Sequence, residues 1–116
     1  MTKTLFQTID QTIRSERLYA KIDLMREHVM ERFRISRHRL NALLRLNTDS
    51  NSFPQYINAI RLEEAYDLLT NHPKMTITEV AHKVGFTAPN LREQFKRRYG
   101  MTPSEYREGG IKQDNI

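Results

Sequence analysis

The strings VMERFRISRHRLNALLR (residues 29–45) and VAHKVGFTAPNLREQFK (residues 80–96) align without a gap at an offset of 51 positions. The register pairs Val29 with Val80, Phe33 with Val84, Ile35 with Phe86, Ser36 with Thr87, Leu40 with Leu91, Leu44 with Phe95 and Arg45 with Lys96. Apolar residues meet apolar ones, hydroxyl meets hydroxyl, and cation meets cation. A chain that repeats its burial pattern and its helix cap at one fixed offset uses a single structural unit twice. Each copy reads as a short apolar helix, a tight turn, a polar cap and a basic amphipathic helix, the layout of a helix-turn-helix.

Periodicity fills in the rest. Leu5, Phe6, Ile9, Ile13 and Leu18 predict an opening amphipathic helix of about 15 residues, ending near Ala20. Asp23 is the expected cap of a second helix bearing Met25, Val29 and Phe33, and Ser36 caps a third that buries Leu40, Leu43 and Leu44. Asn47 to Ser52 reads as a loop. Ser52, with Gln55 in a capping box and Pro54 in the first turn, opens the longest helix, which stops before Pro73.

In that helix Phe53, Tyr56, Ile57 and Ile60 fall on one side, while Leu62, Ala65, Tyr66 and Leu69 fall nearly opposite, so the apolar stripe changes sides near Arg61. A helix apolar on opposed faces needs cover on both, as a strut between two lobes would have. Its length, roughly 28 Å, is close to the rise of about 34 Å per DNA turn. Thr76 and Glu79 start the next helix, Gly85 permits its sharp turn, Thr87 and Pro89 open the following one, and Gly100 ends it. Thr102, Pro103 and Glu105 begin a short last helix bearing Tyr106 and Arg107. The expectation is an all-α fold of seven helices: one lobe over residues 5–50, a linker helix over 52–71, a second lobe over 75–107, and a frayed tail over 108–116.

The net charge of +5 is unevenly spread. Residues 31–45 carry Arg32, Arg34, Arg37, Arg39 and Arg45 against Glu31, a net +4, and residues 89–99 carry Arg92, Lys96, Arg97 and Arg98 against Glu93, a net +3. The remainder is therefore −2. Positive charge concentrated on the repeats is what a phosphate-neutralising surface requires. No cysteine is available for a disulfide or a thiolate metal site, which is compatible with a reducing, cytoplasmic setting. No apolar run approaches a membrane span, and the start MTKTLFQTID lacks a signal-peptide core. His28, His38, His72 and His82 show no metal-ligand spacing, there is no phosphate-cradling glycine loop, and no nucleophile sits in a recognisable motif. We therefore expect no enzyme, cofactor or metal.

Residues 80–107 resemble the signature of the AraC/XylS family of bacterial transcription regulators through Ala81, Gly85, Phe86, Phe95, Lys96, Gly100, Thr102, Pro103, Tyr106 and Arg107. YINAIRLEEAYDLL (56–69) is similar to that family's linker helix and ITEVA (77–81) to the helix after it, so the likeness covers residues 7–107. It implies two helix-turn-helix lobes whose recognition helices enter successive major-groove segments on one DNA face. The chain departs from the pattern in having one residue fewer between Phe86 and Leu91, and in placing Ala88 and Glu93 nearest to the family's polar cap and arginine. In the first unit, Met30 and Arg34 stand where the second has Ala81 and Gly85.

On the first recognition helix the exposed face holds Arg37, His38, Asn41, Ala42 and Arg45. The resemblance implies base reading by His38, Asn41 and Ala42; Asn can bond adenine twice and Ala can touch a thymine methyl. Arg37, Arg39 and Arg45 are the expected phosphate anchors. The second helix presents Pro89, Asn90, Arg92 and Glu93 as base-contact candidates and Lys96 and Arg97 as phosphate contacts, with a Glu93–Arg97 intrahelical pair as the competing role. The expected partner is double-stranded DNA. The alternative is a protein-interaction module that docks an acidic partner or RNA polymerase. The family often joins such a domain to a separate part that senses a ligand or dimerises, so the chain is either a stand-alone regulator or a fragment of a larger one, and the tail past the signature favours the C-terminal end of a longer protein.

Overall fold

The computed structural model describes residues 3–110, and these contain helices and no strand. The helices are α1 (Leu5–Ser15), α2 (Arg26–Phe33), α3 (Arg37–Asn47), α4 (Phe53–Asn71), α5 (Ile77–Val84), α6 (Ala88–Tyr99) and α7 (Pro103–Glu105). A 3-10 turn (Leu18–Ala20) follows α1 and a π-helical turn (Tyr106–Gly110) follows α7. The chain divides into two compact units between Ile60 and Arg61.

In the first unit α1 starts with a reciprocal capping box, Thr4 Oγ1 accepting from Gln7 N at 3.1 Å and Gln7 Oε1 from Thr4 N at 2.9 Å. Ile9 and Ile13 from α1, Val29 from α2, and Leu40 and Leu44 from α3 are all buried. Phe53, Tyr56, Ile57 and Ile60 complete this core from the first half of α4. The Tyr56 hydroxyl donates to Asp10, whose other carboxylate oxygen accepts from Arg14 Nε at 3.0 Å.

Several expectations are corrected here. The opening helix stops at Ser15, short of Ala20, because Arg17 turns left-handed at φ 54° and the chain continues in the tighter 3-10 geometry. Asp23 does not cap α2; the His28 ring does, its Nδ1 accepting from Met25 N at 3.0 Å. Met25 therefore lies outside the helix and is exposed. Phe33 and Leu43 are half-buried. Ser52 Oγ accepts from Gln55 N at 3.2 Å, but the Gln55 side chain returns to Asn51 N at 2.6 Å, one residue earlier than a reciprocal box requires.

In the second unit Leu62, Ala65 and Leu69 from the rest of α4 are buried with Val80, Ala81, Val84, Phe86, Leu91 and Phe95. Tyr66 remains partly exposed while its ring packs on Tyr99 and Tyr106, with centroids 5.2 and 4.9 Å away. Arg107 donates to the backbone carbonyls of Leu69 in the last turn of α4 and of His72 and Met75 in the loop beyond it, so its guanidinium ties this loop to the C-terminal turn. Residues 108–110 belong to the π-helical turn rather than a frayed tail; residues 111–116 lie outside the described residues.

Candidate nucleic-acid interface

The repeated strings fold into two copies of one turn, bond for bond. After α2, Ile35 N reaches Met30 O at 3.1 Å and Arg34 N reaches Glu31 O at 3.4 Å; after α5, Phe86 N reaches Ala81 O at 2.9 Å and Gly85 N reaches His82 O at 3.3 Å. This pairing needs a left-handed residue directly after the helix. Gly85 supplies it at φ 94°, and Arg34 adopts the same region at φ 53° without glycine's freedom. The cap residue then receives the third amide of the next helix: Arg39 N donates to Ser36 Oγ at 3.1 Å and Asn90 N to Thr87 Oγ1 at 3.2 Å. Thr87 thus performs the cap in the shortened second turn, and Ala88 becomes the first helical residue.

Each unit in consequence presents one basic helix with its apolar side inward. On α3, Leu40 and Leu44 are buried; Arg37, His38, Arg39 and Arg45 are exposed, and Asn41 and Ala42 are half-buried. On α6, Leu91 and Phe95 are buried; Pro89, Arg92, Glu93, Lys96 and Arg97 are exposed, and Asn90 is half-buried. All of the sequence candidates on each helix therefore lie at least partly open to solvent. Phe86 plugs the core beneath the second turn, and the guanidinium of the buried Arg61 lies 5.6 Å from its ring centroid, a cation–π contact. Desolvation pushes the Arg61 pKa down, though its ordinary value leaves it a cation at neutral pH.

Two of the counted charges are committed within the protein. Arg32 makes a two-pronged pair with Glu16, at 2.9 and 2.6 Å, which holds the Glu16 carboxyl below its usual range through the hydrogen bond first and the Arg32 charge after it. Glu16 lies outside the charge window counted above, so sequence proximity could not expose the pairing across 16 positions. On α6, Arg97 Nη2 lies 2.9 Å from Glu93 Oε1, the intrahelical pair that competes with base reading by Glu93. Both side chains are more than half exposed, so this link is weak and exchangeable. A further side chain, absent from the candidate set, stands out on α3: Leu46 is 82% exposed.

A helix-turn-helix domain model matches residues 29–109. Among curated proteins, the transcriptional activator RhaS of Escherichia coli is 32% identical over 83 residues, which is 70% of this chain and 29% of RhaS. The chain spans less than a third of the length of the curated relatives it matches. Among solved structures, the C-terminal domain of AraT, a response regulator from Geobacillus stearothermophilus, is 27% identical with a TM-score of 0.78, covering 91% of this chain and 85% of that one. The DNA-binding domain of AdpA, solved in complex with a target DNA, gives a TM-score of 0.82 at 22% identity and 96% coverage of both chains, a likeness of fold.

Proposed function

Because the chain belongs to the AraC/XylS family of helix-turn-helix transcription regulators, we propose that it binds duplex DNA with α3 and α6 as recognition helices, one from each unit. The observation that carries this reading is the twice-built turn, which in each unit leaves a solvent-facing basic helix anchored by a buried apolar side. The family is one of regulators, and catalysis has no place in the reading.

The division of labour follows from side-chain chemistry. His38, Asn41 and Ala42 on α3, and Pro89, Asn90 and Arg92 on α6, lie in the first two turns and carry side chains whose chemistry suits base edges. Arg37, Arg39, Arg45, Lys96 and Arg97 neutralise phosphates and set register. Glu93 holds Arg97 in the free protein, and the pair opens when Arg97 takes a phosphate. RNA polymerase, and a sensory part in the same longer protein, are further proposed partners, and the cytoplasm is the proposed setting. Among the described residues no helix is long and apolar enough to cross a membrane.

The test is the salt dependence of duplex binding. With Arg32 neutralised by Glu16, six net charges remain on the two repeats instead of seven. Contact with about four to six phosphates gives a slope of log K against log salt of about −4 to −5. A flat response, or tight binding to an acidic protein with none to duplex DNA, replaces this reading with the protein-docking one.

A further inference from the structure

The C-terminal turn of α3 turns its polar side chains back onto the helix. Asn47 Nδ2 donates to Leu43 O at 2.8 Å and Thr48 Oγ1 to Leu44 O at 2.7 Å. What projects from this turn is Arg45 and Leu46, and Leu46 is the most exposed large apolar residue among those described. Its place on the helix is specific. At 100° per residue Leu46 follows Ala42 by 40° around the axis and one turn along it, so the two form a short apolar stripe on the solvent side, with Arg39 and Arg45 flanking it.

A stripe that is apolar along its length and cationic at its edges matches one feature of duplex DNA. In the major groove the thymine C5 methyl is the apolar element of the base edges, and it sits between two phosphate backbones. Four helical residues rise about 6 Å, near the roughly 7 Å between bases two steps apart on one strand. Leucine is also a strong helix former, which alone would account for its presence. That account assigns no role to its exposure beside Ala42, among arginines and on the face proposed to meet DNA.

We propose that Leu46 is a specificity residue: it reads a thymine through the C5 methyl, two base steps from the base that Ala42 touches. This rests on the DNA-binding reading of α3. It adds a base contact to that reading and gives the chain a preference for thymine which His38 and Asn41 do not supply.

The experiment removes the methyl alone. In the duplex selected by the full chain, each thymine is replaced in turn by deoxyuridine, which keeps every hydrogen-bonding group, and binding is measured for the unaltered chain, Leu46→Ala and Leu46→Gln. For the unaltered chain we expect the uracil position two steps from the base that Ala42 touches to weaken binding about three- to five-fold, the scale for one methyl returned to water. Leu46→Ala and Leu46→Gln should bind the thymine duplex more weakly by a similar factor and lose the sensitivity at that position, while the salt slope and melting temperature stay unchanged. A uracil profile that is the same in all three proteins overturns the proposal, even if both substitutions weaken binding. Weakened binding to RNA polymerase with an unchanged uracil profile overturns it too, and makes Leu46 a protein contact. If the unaltered chain shows no salt-dependent duplex binding, the proposed function itself fails, a result distinct from either.

Discussion

Arg34 and Gly85 occupy the same place in the two turns, with the same hydrogen bonds and the same left-handed backbone, yet only one is suited to it. A side chain in that region costs about 1–2 kcal/mol, part of which glycine gives back through its freer unfolded chain. Arg34→Gly should therefore stabilise the first unit by about 0.5–1 kcal/mol, and Gly85→Ala should destabilise the second by about 1 kcal/mol or more. Denaturant unfolding of the two variants checks both signs. A loss of stability in Arg34→Gly would mean that the arginine side chain contributes more than its backbone strain costs. At the same scale, reading and anchoring separate on α3. Asn41→Ala should cost about 1–3 kcal/mol on the preferred site and relax the preference at one or two base pairs. Arg45→Ala should weaken all sequences alike and reduce the salt slope by about one. Selection from a random pool decides the matter: an unchanged site for Asn41→Ala removes Asn41 from the reading face.

Among the elements, α5 and α7 begin with the same reciprocal box. Glu79 Oε1 accepts from Thr76 N at 3.2 Å, and Glu105 Oε1 accepts from Thr102 N at 2.8 Å. These backbone hydrogen bonds, then the threonine hydroxyls, lower both carboxyl pKa values. A lowered folded-state pKa contributes stability above the unfolded value and loses it as pH falls through the folded one. The second unit should accordingly weaken as pH falls through and below the ordinary glutamate range, and Glu79→Gln should flatten that fall while remaining folded at pH 7. An equally steep acid transition in Glu79→Gln would show that other carboxyls control it. Thr76→Ala, which removes the hydroxyl acceptor at the start of α5, should cost about 1 kcal/mol. Thermal melts at two pH values distinguish these cases.

Over the whole molecule, the division between Ile60 and Arg61 gives each recognition helix its own buried core. The two helices differ in sequence, so a single chain should prefer an asymmetric, bipartite DNA site. Arg92→Ala combined with Lys96→Ala should leave the preference of α3 intact while erasing that of α6. Footprints of the two proteins on the selected site test this. Loss of both halves together would mean that neither unit holds its half alone.

Much of this was legible in the chain because helix signals are local. The box at Thr76, the caps at Ser36 and Thr87, the glycine turn at Gly85 and the change of stripe at Arg61 all depend on residues within one or two turns, and periodicity reports them. The faces of α3 and α6 were legible for the same reason, since burying Leu40 and Leu44, or Leu91 and Phe95, leaves one side outward. What local pattern does not encode is which distant group reaches a given side chain. Only the tertiary structure paired Glu16 with Arg32 and so reduced the charge available to DNA; it also brought Arg107 to the carbonyls of Leu69, His72 and Met75 and the Arg61 guanidinium over Phe86. The His28 cap and the early end of α1 are local too, but local preference pointed elsewhere: a ring nitrogen took the place expected of Asp23, and Arg17 adopted a left-handed backbone that its side chain does not announce. Sequence periodicity determined which faces turn inward, and folding alone decided which outward charges remained free to act.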